Sequence, residues 1–331
     1  MTAFSRRTVA GLLIGLIAIA LAWGCKDKGS PGPSSSGTLR VVATIGMIGD
    51  VARNIAGDRA QVTWLMGEGV DPHLYKASPG DVRLMADADV ILYNGLHLEG
   101  RMADVIVKMA RTKTVVRVTE AIDESQLREP PEFQGQYDPH VWFDVALWSR
   151  VAERIRDALI EADPDGRETY AANAEAYLTK LRELDEYARA TIATIPENRR
   201  VMVTAHDAFG YFGRAYGLEV KGIQGISTDS EASLQDINAL VDMLVQDRIP
   251  AVFVESSVSR KTIDALVEGC RARGHTVAVG GELFSDAMGP EGTPEGTYIG
   301  MVRHNVNTVT RALGGQVPPT TADTGASREN P

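Results

Sequence analysis

Along the chain, runs of β-branched and apolar residues alternate with stretches whose apolar positions recur every three or four residues. The first pattern predicts buried strands and the second predicts helices with one packed face. Leu39 to Ile45 reads as a strand and Ile48 to Ala56 as the helix after it. Gln61 to Leu65, Val90 to Tyr93 and Thr114 to Val118 are further strands, separated by helical patterns over Asp81 to Ala88 and Arg101 to Ala110. Val145 to Ala162 is amphipathic and stops at Asp163-Pro164-Asp165-Gly166. From Arg167 to Ile195 there is neither Gly nor Pro, and Tyr170, Ala174, Tyr177, Leu178, Leu181, Leu184, Ala188 and Ile192 form one stripe. At 1.5 Å per residue that helix is about 40 Å long, enough to join two lobes as a stiff spine. The alternation then restarts, with strands at Val201 to Thr204, Glu219 to Lys221, Ala251 to Val254 and Thr276 to Val279. Between and after them lie helical patterns ending at Tyr216, spanning Ser233 to Asp247, ending at Arg273 and spanning Tyr298 to Leu313. The order predicts an α/β fold of two similar lobes, each a parallel sheet flanked by helices, joined by one long rigid helix. Ligand groups are expected in loops at the carboxyl ends of the strands.

The two ends of the chain change this picture. Arg6-Arg7 precede an uncharged apolar run from Val9 to Trp23 that stops at Gly24-Cys25, the pattern of an export leader over 1–24. The run is shorter than the roughly 20 residues a spanning helix needs. Cys25 is the expected site of a lipid anchor, although Leu21 stands one place further from the cysteine than usual and Ala22 fills its position. Ser5-Arg6-Arg7 fits a general secretory or a twin-arginine route. Residues 25–38 are rich in Ser, Gly and Pro, which suits a tether. The folded part then divides into a lobe over 39–166, a connecting helix over 167–196 and a lobe over 197–313, with a tail at 314–331 expected to lack structure. The net charge is -10, and losing Arg6 and Arg7 with the leader makes it about -12. Nucleic acid is therefore not an expected partner. With Cys25 acylated, Cys270 has no partner for a disulfide and reads as a small core residue.

The candidate chemistry lies in two repeats of one tripeptide, Asp71-Pro72-His73 and Asp138-Pro139-His140. Proline restricts its own φ and the residue before it, so each imidazole leaves the chain in a preset direction. A third histidine, His206, follows the apolar run Val201-Met202-Val203, and Asp286 sits in a loop ending at Gly289. Three imidazoles and a carboxylate make a closed site for one divalent metal. Asp71, Asp138 and Asp207 adjoin these histidines and are candidate acceptors for their rings, although Asp before Pro also simply starts a turn. His97, His275 and His304 read as ordinary surface or structural residues. Trp142, Phe143, Phe209 and Tyr211 are expected to pack around the site, whereas Glu255 receives no role.

Three segments carry a family resemblance: Thr204-Ala205-His206-Asp207-Ala208-Phe209-Gly210-Tyr211-Phe212, Gly225-Ile226-Ser227-Thr228-Asp229-Ser230-Glu231-Ala232-Ser233, and Gly280-Gly281-Glu282-Leu283-Phe284-Ser285-Asp286-Ala287-Met288-Gly289. With these the chain resembles the TroA-like zinc- and manganese-binding proteins of metal ABC importers, from about Leu39 to Leu313. The resemblance implies metal held between two lobes by His73, His140, His206 and Asp286. It also implies delivery to an ABC importer, a permease with its ATPase, by a monomer anchored through lipid at the periplasmic or cell-surface side of a membrane. Family members regarded as manganese-selective commonly carry Glu where His206 stands. Members dedicated to zinc often carry a histidine-rich loop, which Glu120 to Tyr137 lacks. Zinc and manganese both stay open.

Two other classes compete with this reading. A zinc hydrolase keeps a coordination position for water and a base beside it, whereas here four side chains fill the shell and no HExxH pattern occurs. A surface adhesin with a structural metal would hold its ion without exchanging it. The chain is expected not to be an enzyme.

Overall fold

The apolar runs of the first half become a four-stranded parallel sheet whose central strands are buried and whose edge strands are partly exposed. In the computed structural model, which describes residues 38–133 and 135–319, strand β1 (Leu39–Ile45) is central and buried from Val41 onward. It pairs in parallel with β2 (Ala60–Met66) on one side and β3 (Val90–Tyr93) on the other, and β4 (Thr114–Arg117) lies beyond β3. Val41 stands opposite both Val62 and Val90. Helices α1 (Gly46–Ala56), α2 (Pro79–Asp87) and α3 (Ala103–Met109) provide the crossovers that parallel strands require. The leader, Cys25 and the tether lie outside the described residues, as does the tail from 320 on. Among the described residues no helix is long and apolar enough to cross a membrane.

Helix α4 (Val145–Ala162) starts where Asp144 Oδ1 accepts the Leu147 N–H at 3.2 Å, an N-cap that satisfies one free donor. Helix α5 (Arg167–Ile192) is unbroken over 26 residues, and every member of the predicted stripe is buried. It ends three residues before the predicted Ile195, because Pro196 disfavours helical geometry in the residue ahead of it. It packs against α1 and α4 of the first half.

The second half runs β5 (Val201–His206), α6 (Gly210–Tyr216), β6 (Glu219–Gln224), α7 (Leu234–Gln246), β7 (Ala251–Glu255), α8 (Lys261–Ala272), β8 (Ala278–Leu283) and α9 (Tyr298–Ala312). β5 pairs in parallel with β6 and β7 with β8, while β5 packs beside β7. Two strands differ from expectation. β5 runs on to His206, so this histidine ends a strand rather than lying in a loop. β8 starts two residues later than the predicted Thr276 and continues to Leu283 instead of stopping at Val279. The pair Gly280-Gly281 looked like a strand end, but it forms a β-bulge. Val279 faces Val252 and Glu282 faces Val254, so two residues oppose one, with Gly281 at φ +147 where a side chain is disfavoured.

The cores of the two halves are unequal. One hydrophobic cluster runs from the first sheet through α4, α5 and α6 to α9, and a smaller one, holding the buried Cys270, fills the space between α7, α8 and their strands. Helix α9 reaches back across the molecule: the Tyr298 N–H and the Tyr177 hydroxyl both donate to Asp50 Oδ2, at 3.1 and 3.3 Å. Burial raises the Asp50 pKa above the ordinary aspartate value. This buried carboxylate joins α1, α5 and α9, and the Tyr298 hydroxyl adds a bond to the Trp142 carbonyl at 2.7 Å. Part of the stretch 120–137 packs against the second half. Leu127 and Arg128 are half-buried, and Gln126 accepts a bond from Arg214 of α6 at 2.8 Å.

Candidate metal centre

The twin tripeptides fold alike. In each, the aspartate Oδ1 accepts the histidine backbone N–H two residues on, at 2.9 Å for Asp71 to His73 and 3.0 Å for Asp138 to His140. Such Asx turns, stiffened by the intervening proline, aim both rings before any tertiary contact forms. The two aspartates then diverge. Asp138 Oδ1 also takes the ring Nδ1 of His140 at 2.8 Å, which leaves Nε2 free to point inward. Asp71 turns Oδ2 away to accept the Thr228 hydroxyl at 2.6 Å, so it braces the turn against the second half and does not orient the His73 ring.

His206, ending β5, is fixed from the neighbouring strand. Its N–H donates to Glu255 Oε1 at 2.8 Å, and its Nδ1 lies 2.5 Å from Glu255 Oε2. Glu255, the last residue of β7, is thus the ring partner that sequence reasoning missed. Nothing in the local pattern marks it, since the pairing depends on β5 lying beside β7. Asp207 makes no hydrogen bond to an imidazole. Asp286 follows the bulged β8, and the loop is held by Trp142 Nε1 donating to the Ser285 carbonyl at 3.0 Å. Trp142 also stands edge-on to His140 with ring centroids 5.2 Å apart, and Phe143 stacks on Phe209 at 4.3 Å. The Tyr211 hydroxyl donates to the Asp138 carbonyl at 3.1 Å, so all four expected aromatics pack around the centre.

The side chains of His73, His140, His206 and Asp286 come together, each offering one donor atom, and these atoms all lie within 4.8 Å of one another. His73 Nε2 is 3.2 Å from His140 Nε2 and 3.9 Å from Asp286 Oδ2. His140 Nε2 is 3.3 Å from Asp286 Oδ1, and His206 Nε2 is 3.3 Å from Asp286 Oδ2. A tetrahedron with bonds of 2.0–2.1 Å has edges of about 3.3 Å, so the spacing matches a four-coordinate ion. All four residues are buried, and His206 Nε2 and both Asp286 oxygens have no hydrogen-bond partner among the described residues. Buried polar atoms are normally paired, so this cluster of unpaired donors has the chemistry of a cation site. His97, His275 and His304 stay apart: His275 Nε2 contacts the Ile249 carbonyl at 2.8 Å, His304 Nε2 contacts that of Glu282 at 3.0 Å, and His97 sits in a left-handed turn at φ 66.

Electrostatics separates the three rings. Burial pushes the His73 pKa down to about 3, so this ring is neutral. Burial also opposes charge on His140, but Asp138 and then Asp286 outweigh it and hold its pKa up at about 9. His206 is likewise raised well above the ordinary value, against burial, by Glu255 and Asp286. Asp286 itself is lowered well below the usual carboxylate range, its burial overcome by His206 and His140. Free of metal, the centre therefore holds protons that a cation must displace.

The sequence and the fold both have counterparts among known proteins. The family model for ZnuA, zinc-uptake complex component A periplasmic, matches residues 41–312. The manganese-binding lipoprotein MntA of Bacillus subtilis is 52% identical over 285 residues, covering 86% of this chain and 92% of that protein. The zinc-binding protein TroA of Treponema pallidum is 50% identical, covering 88% of this chain and 92% of that one. The solved structure of TroA superposes with a TM-score of 0.82 over 84% of this chain and 99% of its own. The metal ABC transporter substrate-binding lipoprotein SsaB of Streptococcus sanguinis is 31% identical over 90% of this chain and 96% of its own length. With the family model matching residues 41–312 and relatives of 50% identity or more over most of the chain, the chain belongs to the ZnuA family of periplasmic zinc-uptake components.

Proposed function

We propose that this protein captures one divalent transition metal, zinc or manganese, with His73, His140, His206 and Asp286 and delivers it to a membrane ABC importer. The observation that carries the reading is the meeting of four buried donor atoms, two from each half of the chain, at the spacing of a coordination shell. Three imidazoles with one carboxylate suit both metals, and relatives of nearly equal identity are named for manganese in one case and zinc in the other. A hydrolase needs a position open to water, which four filling donors do not leave. Competitive titration of the purified, metal-free chain is expected to reach one zinc or manganese per chain, with one of the two displacing the other. Failure to hold stoichiometric metal after desalting rejects the reading.

The placement follows from the same reading. The leader over 1–24 exports the chain, and lipid on Cys25 with the tether over 25–38 holds a monomer at the outer side of the membrane, where the permease and its ATPase receive the cargo. The lobe over 39–166, the connecting helix over 167–196 and the lobe over 197–313 form the carrier, followed by a tail at 314–331. The names of relatives such as MntA and SsaB as lipoproteins support the anchor. Mass spectrometry of the membrane fraction is expected to find a mature chain starting at acylated Cys25, and Cys25→Ser is expected to release the protein. An unmodified terminus elsewhere rejects the anchor.

A further inference from the structure

We infer that Arg128 is a positioning residue of the metal centre, fixing the Asp138 carboxylate that orients His140 and tying it to the start of α6 just behind His206. The inference rests on the ligand set proposed above. Arg128 comes from the stretch 120–137, which carries no histidine and showed no chemistry in the sequence.

The two oxygens of Asp138 divide their work. Oδ1 takes both the backbone N–H and the ring Nδ1 of His140, while Oδ2 receives a terminal nitrogen of the Arg128 guanidinium. A carboxylate held at one oxygen alone swings about its own bond; held at both, it does not. The backbones are joined as well, since the Asp138 N–H donates to the Arg128 carbonyl at 2.9 Å. Tyr211 closes the link from the other half: its hydroxyl accepts the Arg128 N–H at 2.9 Å and donates to the Asp138 carbonyl at 3.1 Å. Asp138 is fully buried, so the charge-assisted pair with Arg128 is poorly screened by solvent.

Gly210 supplies independent support. A Cβ built at this position overlaps the Arg128 guanidinium, while the φ of Gly210 lies in the ordinary range. Space for the arginine, rather than backbone freedom, therefore calls for glycine there. The segment from His206 to Gly210 thus carries a ligand at one end and the seat of Arg128 at the other. His140 and His206 are registered to each other through one guanidinium.

Arg128→Met, Arg128→Lys and Gly210→Ala test this with three readouts: zinc affinity, the visible d–d spectrum of the cobalt(II)-loaded chain, and the melting temperature of the metal-free chain. Arg128→Met is expected to weaken zinc binding roughly 10- to 100-fold, the usual cost of losing a group that orients a ligand, and to change the cobalt spectrum. Arg128→Lys is expected to recover part of both. Gly210→Ala, which keeps every charge and only evicts the guanidinium, is expected to reproduce the Arg128→Met result, and it carries the test alone if Arg128→Met does not fold. If Arg128→Met and Gly210→Ala lower only the melting temperature and leave affinity and spectrum at parental values, the inference is overturned. His140→Ala run alongside separates the two claims. Unchanged zinc binding in that variant overturns the ligand set itself, whereas loss there beside parental binding in the Arg128 and Gly210 variants overturns the positioning role alone.

Discussion

Replacing His140 with alanine is expected to weaken zinc binding about 100- to 1,000-fold while the chain stays folded. Closed zinc sites of four protein ligands bind with roughly 10–16 kcal/mol, so one ligand in four accounts for about 3–4 kcal/mol. Each 1.4 kcal/mol is about tenfold in affinity. His140 is fully buried between Trp142, Asp138 and the other ligands, so no exposed group stands ready to take its place. The loss falls on binding rather than folding because the turn survives: the backbone N–H of residue 140 still reaches Asp138 Oδ1, and Arg128 still holds Oδ2. Calorimetry with chelator competition measures the affinity, and circular dichroism checks the fold. His97→Ala serves as the control, since His97 stands outside the cluster of donors. Parental zinc affinity in His140→Ala would show that the centre is wrongly assigned.

Zinc affinity is expected to rise by at least about tenfold from pH 6 to pH 7 and to go on rising toward pH 9. An imidazole binds metal only through an unprotonated nitrogen, so a raised pKa makes the metal compete with a proton at every pH below it. For His140 that pKa is about 9, with Asp138 and Asp286 overcoming the opposing effect of burial. His206 is raised well above the ordinary value in the same way, by Glu255 and Asp286 against its burial. Each proton displaced makes affinity climb about tenfold per pH unit until the pKa of its group is passed. An unperturbed histidine would flatten the curve above about 6.5. His73, already neutral because burial lowers it to about 3, adds no slope in this range. Chelator-competition titrations at pH 6, 7, 8 and 9 give the slope, and calorimetry in buffers of different ionisation enthalpy counts the protons released. An affinity that levels off between pH 7 and pH 8.5 contradicts the proton-loaded centre.

The candidate ligands of the first half are carried on stiff turns, and those of the second half on a strand end and on the loop after a bulge. Cross-links between the halves run through side chains around the centre: Asp71 with Thr228, Trp142 with Ser285, and Tyr211 with both Arg128 and Asp138. These are four hydrogen bonds, each of the kind worth about 1–3 kcal/mol net.

The sequence by itself determined what local physics controls. Apolar periodicity marks α4 at its observed bounds and the buried stripe of α5, because one face of a helix must be covered wherever the chain goes. The two Asp-Pro-His turns point their rings through bonds that span only two residues, so His73 and His140 stood out in the sequence as candidate ligands. Tertiary structure decided the rest, because those interactions join residues distant in the chain. Which aspartate serves a ring depends on what each carboxylate meets: Asp138 finds Arg128 on its far oxygen, whereas Asp71 finds Thr228, 157 residues away. Glu255 orients His206 only because β7 lies beside β5, a neighbour relation that no spacing along the chain encodes. Gly280-Gly281 looks like a strand end from sequence and becomes a bulge inside β8, because pairing with β7 supplies bonds that outweigh the low strand preference of glycine. The protonation of the centre is likewise a tertiary property, since it arises from four buried groups whose charges meet only in the folded chain.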